Sequence, residues 1–375
     1  MAFSRNDTST LGRWWWTIDR WTLGALLVLI GFGYIMVLAA SPAVAERIGA
    51  SSRMFFLRQI LYLGAAAAVM VAVSMLSIRQ VRLLGWLGLA GSLVLVAATL
   101  GVGAEIKGAR RWLNLPGLGS VQPSEFLKPC FAVVAAWLIS EGKLNRRHGA
   151  TLLALVIFGM VAVLLKGQPD IGMLLVIAAV FFAQFFVAGL NLLVVGFVGA
   201  AGLLLAGIAY MFFPHVQSRV HRFLNPEAGD NYQVEVALEA FGNGGLLGRG
   251  PGEGRIKNVL PDAHADFVFA VAGEEFGLVV CLLILGVFAF VVVRGLVRLL
   301  GETDLFVVLA AAGLLTQFGL QAFVNMASSL HLIPTKGMTL PFVSYGGSSV
   351  IAIALGMGFL LALTRRRLSR AEGEA

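Results

Sequence analysis

Long apolar runs without alternation constrain the fold of this chain more than any other feature. Each run covers about 20 residues, the length that a helix needs to cross a bilayer. Unpaired backbone polar groups are costly in hydrocarbon, so a spanning chain must form helices or a closed barrel, and a barrel would show short alternating segments. A chain of 375 residues with 58% hydrophobic and 13% charged residues is too apolar for a soluble domain. We therefore predict an all-α, polytopic membrane protein.

The apolar runs predict about ten transmembrane helices in one integral membrane domain that covers residues 1–375. The predicted spans are residues 21–40, 56–76, 81–103, 125–140, 149–165, 171–189, 192–213, 266–296, 305–330 and 344–363. A large extracytoplasmic loop, residues 214–265, is predicted between helices 7 and 8. An even number of spans places both termini on one side, and because both are rich in arginine we predict cytoplasmic termini.

Two loops assigned to the outside carry basic residues against the positive-inside rule. They are Lys107, Arg110 and Arg111 in the first loop and Arg219, Arg222, Arg249, Arg255 and Lys257 in the second. Either the chain ends alone set the orientation, or these loops bind an extracytoplasmic anionic ligand. If the first loop turns helically, its three basic residues share a face that could cradle phosphate oxygens, and Trp112 could stack on a sugar or lie in the membrane interface.

Two further features of these loops allow a structural and a functional interpretation. Glu125 and Lys128 stand three residues apart at a predicted helix start, either as a structural pair or as ligand contacts. The glycine-rich run from Tyr232 and Gln233 to Gly254 is either a backbone nest for an anion or a flexible linker. The residue pattern alone leaves both alternatives open.

Asp266 is the strongest candidate for chemistry, because it lies where the long loop re-enters the membrane. A helix dipole there favours the ionised carboxylate while partial desolvation favours the neutral form, a balance that suits a general base. The alternative is that Asp266 only caps the helix. His264 and Asp266 are not a specific metal pair, so no residue is assigned to a metal. Glu274 and Glu275 lie deeper in the same segment, where acids are expensive and often functional.

Two other polar segments raise similar questions. Asp170 begins a predicted span and is either a helix cap or a site residue. The last loop contains Lys336, Ser344 and Tyr345 between two prolines and a pair of glycines. Such a composition at membrane depth predicts a re-entrant segment that lines a cavity.

Together these motifs resemble the shape, elongation, division and sporulation (SEDS) family of polytopic peptidoglycan glycosyltransferases, which includes FtsW, RodA and SpoVE. The resemblance spans nearly the whole chain and rests on residues 107–112, 122–128, 168–172, 232–233, 260–277 and 334–349, in this order. Residues 334–341 look most like the division branch, FtsW, rather than the elongation branch, RodA. Lys107 departs from the asparagine of many relatives, and Val236-Ala237 from a common Gln-Ser pair.

The resemblance implies a lipid II polymerase of the cell division machinery in the bacterial cytoplasmic (inner) membrane. It implies that Asp266 is the general base, on the extracytoplasmic face at the division septum. The implied substrate contacts are Lys107, Arg110, Arg111, Trp112, Glu125, Lys128, Arg219, Arg222, Tyr232, Gln233, His264, Lys336, Ser344 and Tyr345. A divalent cation, Mg²⁺ or Mn²⁺, is compatible with a pyrophosphate leaving group, although no ligand set in the sequence demonstrates one.

The expected partners are lipid II, a class B penicillin-binding protein transpeptidase, other divisome proteins and the membrane, with no nucleic acid. Three alternatives remain open. The chain could be a lipid II flippase or related transporter, in which intramembrane acids such as Glu274 form a relay. It could instead be an elongation polymerase like RodA, or a non-catalytic scaffold for a transpeptidase.

Overall fold

Helices form most of this chain, in a computed structural model that describes residues 9–47, 52–106, 108–115, 119–212, 217, 218, 220, 221, 223, 232–334 and 336–366. The helices are α1 Thr10–Thr17, α2 Arg20–Arg47, α3 Ser52–Ser74, α4 Ile78–Val102, α5 Pro123–Leu144, α6 His148–Gly167, α7 Ile171–Val187, α8 Leu192–Phe212, α9 Tyr232–Gly244, α10 Val268–Leu299, α11 Leu305–Ser329 and α12 Gly347–Leu363. Three short strands, β1 Ala104–Ile106, β2 Ala109–Leu115 and β3 Gly119–Val121, lie between α4 and α5.

Each predicted span contains a helix, which confirms the all-α membrane class. Six helical segments are long and apolar enough to cross a bilayer: Arg20–Ala40, Phe56–Ser74, Ile78–Val102, His148–Gly167, Val268–Leu299 and Leu305–Ser329. The apolar helices α7 and α12 are shorter, at 17 residues each. The count of about ten crossings stays a prediction.

The inner and outer helices of the bundle differ in how much of their surface is buried. Helix α5 is buried around almost its whole circumference, including the charged side chains of Glu125 and Lys128, and it packs on α4, α11 and α12. In contrast, only 22% of the α6 span is buried. Because polar side chains are tolerated in a membrane protein where other helices surround them, α5 carries charges that α6 could not expose to lipid.

The segment between α4 and α5 corrects one prediction. Residues 109–115 form the central strand of an antiparallel sheet in the order β1-β2-β3, so the helical turn on which the shared basic face depended is not present there. Successive side chains of a strand point to opposite faces. Arg110 and Arg111 therefore do not share a face as the helical interpretation required.

Two helix starts also differ from the predicted spans. The eighth span was expected to begin at Asp266, but α10 begins at Val268; the last was expected to begin at Ser344, but α12 begins at Gly347. In both cases the polar residue lies in the preceding turn, and these two turns bond to each other. Tyr345 donates its backbone N–H to the carbonyl of His264 at 2.8 Å.

Asp19 lies at the opposite end of the bundle, beside Arg294 and Arg298 in the last turns of α10. Arg294 donates two hydrogen bonds of 2.8 and 2.9 Å to its carboxylate, and Arg298 pairs with it at 2.9 Å. Burial alone would raise the pKa of Asp19, but the hydrogen bonds from Arg294 and Thr22 and the charge of Arg298 lower it to about 2. These contacts fix the start of α2 to the end of α10.

Candidate active site

Asp266 lies half-buried in the turn that precedes α10. Its backbone N–H donates to the carbonyl of Asp262 at 3.1 Å. The N-cap position of α10 belongs to Phe267, without a side-chain cap hydrogen bond. The structure therefore argues against the interpretation that Asp266 serves only as a helix cap.

Asn325 of α11 joins Asp266 to the last loop. It is fully buried, and its amide donates to the carbonyl of Asp266 at 2.9 Å and to that of Met338 at 2.6 Å. A Cβ at Gly337 would lie 2.9 Å from the Asp266 carboxylate, so the backbone of residues 336–338 passes directly beside that group. Sequence reasoning missed Asn325, although an asparagine inside an apolar helix is itself a signal.

The last loop is fastened to the turn before α10 by three predicted site residues. The hydroxyl of Ser344 donates to the carbonyl of Ala265 at 2.5 Å and accepts from the N–H of Leu340 at 2.7 Å. The rings of His264 and Tyr345 lie 5.2 Å apart. These contacts give Ser344, His264 and Tyr345 a structural task, and their contact with substrate stays a prediction.

Lys336 lies against the N-terminus of α7. Its side chain occupies the space that a Cβ at Gly172 would need. Asp170 accepts a hydrogen bond from the N–H of Met173 at 3.2 Å, so it is the helix cap that one interpretation predicted. The N-terminal end of a helix carries partial positive charge. Lys336 and the start of α7 therefore combine positive charge close to the segment that passes Asp266.

Arg111 ties the sheet to the same place. It donates to the carbonyls of Gln168 and Pro169 at 3.2 and 2.6 Å and lies 3.6 Å from the carboxylate of Asp170. Arg110, on the other face of β2, pairs with exposed Glu105 at 3.2 Å. Of the two arginines, Arg111 contacts the turn between α6 and α7 and Arg110 does not. Trp112, which follows Arg111 in the strand, is half-buried.

Glu125 and Lys128 form a buried structural pair at 2.8 Å. The Lys128 ammonium also donates to the side-chain carbonyl of Gln321 at 2.8 Å. Gln321 in turn donates to the carbonyl of Thr339 at 3.1 Å, and Ser349 donates to Glu125 at 3.2 Å. This network connects α5, α11, α12 and the last loop, and its members Gln321, Thr339 and Ser349 were not predicted from the sequence.

The glycine-rich loop folds around two carboxylates of its own chain. Glu274 accepts hydrogen bonds from the backbone N–H groups of Arg255 and Ile256 at 2.9 and 3.0 Å. Glu275 accepts from the N–H of Gly252 at 3.0 Å and pairs with Lys257 at 2.6 Å. The predicted anion nest is therefore already filled, and the flexible-linker alternative is also wrong for this part of the loop.

A break in α10 makes this arrangement possible. Gly277 has φ of 78° inside the helix, a backbone conformation that is favourable only for glycine. The N–H groups of Leu278 and Val279 consequently donate to the carbonyls of Gly245 and Leu246 at 2.9 and 3.2 Å instead of to their own helix. The long predicted loop is thus an ordered part of the bundle over residues 245–258.

The remaining predicted contacts divide into two groups. Tyr232 and Gln233 begin α9, and the Tyr232 hydroxyl reaches the carbonyl of Val259 at 3.4 Å. Lys107, Arg219 and Arg222 lie outside the described residues. Their role in binding stays a prediction.

The described residues contain no group of three or more His, Cys, Asp or Glu side chains that could hold a metal ion. We assign no catalytic step to a cation.

Comparison with known proteins gives the same assignment from independent directions. Residues 20–368 match the family of cell cycle proteins FtsW, RodA and SpoVE. A probable peptidoglycan glycosyltransferase FtsW of Caulobacter vibrioides is 43% identical, covering 98% of this chain and 94% of the relative. A second, from Alkalilimnicola ehrlichii, is 37% identical over 96% of this chain and 93% of the relative.

Solved structures share the fold. A chain of a peptidoglycan synthase complex that coordinates polymerization and crosslinking is 28% identical with a TM-score of 0.77, covering 92% of this chain and 97% of that one. The rod shape determining protein RodA of Thermus thermophilus is 27% identical with a TM-score of 0.67, covering 93% of this chain and 97% of that one. With sequence, length and fold in agreement, this chain belongs to the FtsW, RodA and SpoVE family.

Proposed function

We propose that this protein is a membrane-embedded peptidoglycan glycosyltransferase that polymerises lipid II during cell division. The observation that carries the proposal is the position of Asp266, a half-buried carboxylate beside a re-entrant segment that brings Lys336 to the start of α7. The names of the FtsW relatives support the reaction and the division role.

The proposed reaction needs one base and a cationic surface. The 4-hydroxyl oxygen of one disaccharide attacks the anomeric carbon of another, and its proton passes to the carboxylate of Asp266. The bond between the anomeric carbon and the pyrophosphate oxygen breaks with inversion, so undecaprenyl pyrophosphate leaves with the electron pair. A pyrophosphate needs positive charge more than a proton, and a second catalytic carboxylate of the glycosidase kind is therefore not required.

The positive charge would come from the region around the start of α7. Lys336 supplies it directly, and the α7 N-terminus adds partial positive charge that the cap carboxylate of Asp170 offsets in part. Arg111 holds the turn between α6 and α7 in place through the carbonyls of Gln168 and Pro169. We infer that Lys336 contacts the pyrophosphate and that Arg111 supports the loop that presents it.

The buried glutamates disfavour the transporter alternative. Glu274 and Glu275 are fully buried and accept the loop hydrogen bonds described above. A proton relay needs carboxylates that can release these partners during each cycle. We therefore assign them to the structure of the loop rather than to transport.

The deciding experiment is strand synthesis from lipid II by the purified chain, with its class B penicillin-binding partner. Asp266→Ala should abolish polymer while the thermal unfolding temperature stays unchanged. Glu239→Gln, which removes an exposed carboxylate on α9, should leave polymer yield unchanged. Normal yield from Asp266→Ala would contradict the mechanism. Transfer of labelled lipid II across vesicles without any polymer would favour a flippase.

Orientation, location and cation use belong to the same proposal. We place both termini in the cytoplasm and Asp266 on the outer face of the cytoplasmic membrane, at the septum. Reporter fusions at the two termini and imaging of a fluorescent fusion test this placement, and lateral-wall localisation would favour an elongation role. If a divalent cation enters with the pyrophosphate, chelation with EDTA should reduce polymer yield and Mg²⁺ or Mn²⁺ should restore it.

A further inference from the structure

A cavity of about 400 Å³ opens at the end of the bundle opposite Asp266. It lies between α1, the turn that joins α3 to α4, and the end of α12. Three arginines line it, Arg13, Arg365 and Arg366, and none of its described lining residues is acidic. The cavity is therefore strongly positive.

The arginines of this cavity have no carboxylate partner among the described residues. The described ion pairs do not include Arg13, Arg365 or Arg366. Among the described residues, the Arg365 side chain donates to the carbonyl of Leu76 at 3.2 Å, and burial lowers its pKa. A half-buried guanidinium without an anion is costly, and a bound anion would offset that cost.

Two described acids at this end of the bundle have other partners. Asp19 is held by Arg294 and Arg298. Glu302 lines the adjoining cavity, and its carboxylate accepts the backbone N–H groups of Thr303 and Asp304, both at 3.0 Å. Neither acid lines the cavity of about 400 Å³, although Arg365 and Arg366 also line the adjoining cavity that contains Glu302.

The cavity also lies at the level where the membrane begins. The candidate spans of α3 and α4 end at Ser74 and begin at Ile78, so the turn between them marks the boundary. Apolar residues from this turn and its neighbours also line the cavity, namely Met75, Leu76, Ile78 and Ala362. The lining thus combines cationic and apolar side chains, as the chemistry of a phospholipid does.

We propose that this cavity binds the headgroup of an anionic phospholipid. The phosphate lies between the guanidinium groups of Arg13 and Arg365, and the acyl chains leave along the apolar surface of α3 and α4. A free phosphate shares the cationic half of this chemistry, but it would leave the apolar half unused. The C-terminal segment 367–375 carries Glu372 and Glu374 as another source of anions, but also Arg367 and Arg370.

Native mass spectrometry of the full chain with equal amounts of phosphatidylglycerol and phosphatidylcholine tests the proposal. The unmodified chain should retain phosphatidylglycerol preferentially. Arg13→Gln with Arg365→Gln should reduce that retention, by about fivefold for each charge removed. Arg147→Gln, which removes an exposed arginine from the turn before α6, should change nothing. A thermal unfolding scan of each variant controls for folding.

Each of the other outcomes overturns the proposal. Equal retention of the two lipids, or unchanged retention by the folded double variant, would exclude a specific anionic lipid site. Inorganic phosphate and dioctanoyl phosphatidylglycerol can be compared as competitors for bound phosphatidylglycerol. Equal displacement by the two would identify a site for a free anion. Lipid retention that appears only after residues 367–375 are removed would make that segment the occupant. If the double variant does not fold, Arg13→Gln alone, at an exposed position, carries the test with an expected loss of about fivefold.

Discussion

Asp266 lies just before α10, and Glu274 and Glu275 lie within its first turns. These carboxylates differ in their burial and in the contacts described for them. Glu274 and Glu275 are fully buried, and backbone N–H groups, Lys257 and Arg249 surround them. Asp266 is half-buried, and its backbone carbonyl accepts a hydrogen bond from Asn325. Depth in the membrane therefore does not by itself identify the acid that we propose as the base.

The largest expected effect of breaking this contrast is the loss of catalysis in Asp266→Asn. The amide keeps the shape of the side chain but cannot accept the proton, so the rate of strand synthesis should fall by about 10³-fold. The unfolding temperature should change little, because the variant keeps the volume of the side chain and the backbone hydrogen bonds to Asp262 and Asn325. Rate measurements on lipid II and a thermal scan check both parts. If Asp266→Asn is destabilised but keeps its rate of strand synthesis per folded molecule, Asp266 has a structural role and not a catalytic one.

Glu274→Gln should give the opposite pattern, with stability lost and chemistry kept. The amide group would face N–H donors of Arg255 and Ile256, and the free energy of unfolding should fall by about 3 kcal/mol. The matched control is Glu253→Gln, which removes an exposed carboxylate from the same loop and should change stability by no more than about 0.5 kcal/mol. If the Glu274→Gln protein is stable but has lost all activity, Glu274 takes part in catalysis and the structural assignment is wrong.

Asp19→Asn extends the comparison to the other end of the bundle. The pKa of Asp19 falls from 3.8 to about 2 in the folded protein, which corresponds to about 2 kcal/mol. Because the folded-state pKa is the lower one, this stability is present above pH 3.8 and is lost as the pH falls towards 2. Unfolding in detergent at pH 6 and at pH 3 should show a difference between variant and parent that shrinks in acid. A constant difference would contradict the charge-based explanation.

The smallest expected effect is in Asn325→Ala. Loss of the bonds to the carbonyls of Asp266 and Met338 should loosen the base and lower kcat by about tenfold with little change in KM. The pH profile of kcat should shift as well, which a purely structural role would not cause. Gln317→Ala, also a buried amide of α11, serves as the control and should leave the profile unchanged.

The apolar helices could be predicted because hydropathy is a local property of the sequence. The partners of the buried acids could not. Glu274 meets N–H groups that lie 18 and 19 residues earlier in the chain, and only the fold reveals such a distant contact. The same holds for the link from Asn325 to Asp266, across 59 residues. The β2 strand had a local signal, since Arg111, Leu113 and Leu115 alternate with other residues.

The burial of α5 has a consequence for how the protein is made. With Glu125 and Lys128 in its first turns, this helix is a poor candidate for recognition as a membrane segment by itself, and it is absent from the six described spans that length and hydropathy identify. The preceding helix, α4, packs on α5. In contrast, Gln321, which accepts a hydrogen bond from Lys128, is synthesised almost 200 residues later. We expect α4 to carry α5 into the bilayer as a hairpin. The buried ion pair then remains incompletely bonded until α11 emerges from the ribosome.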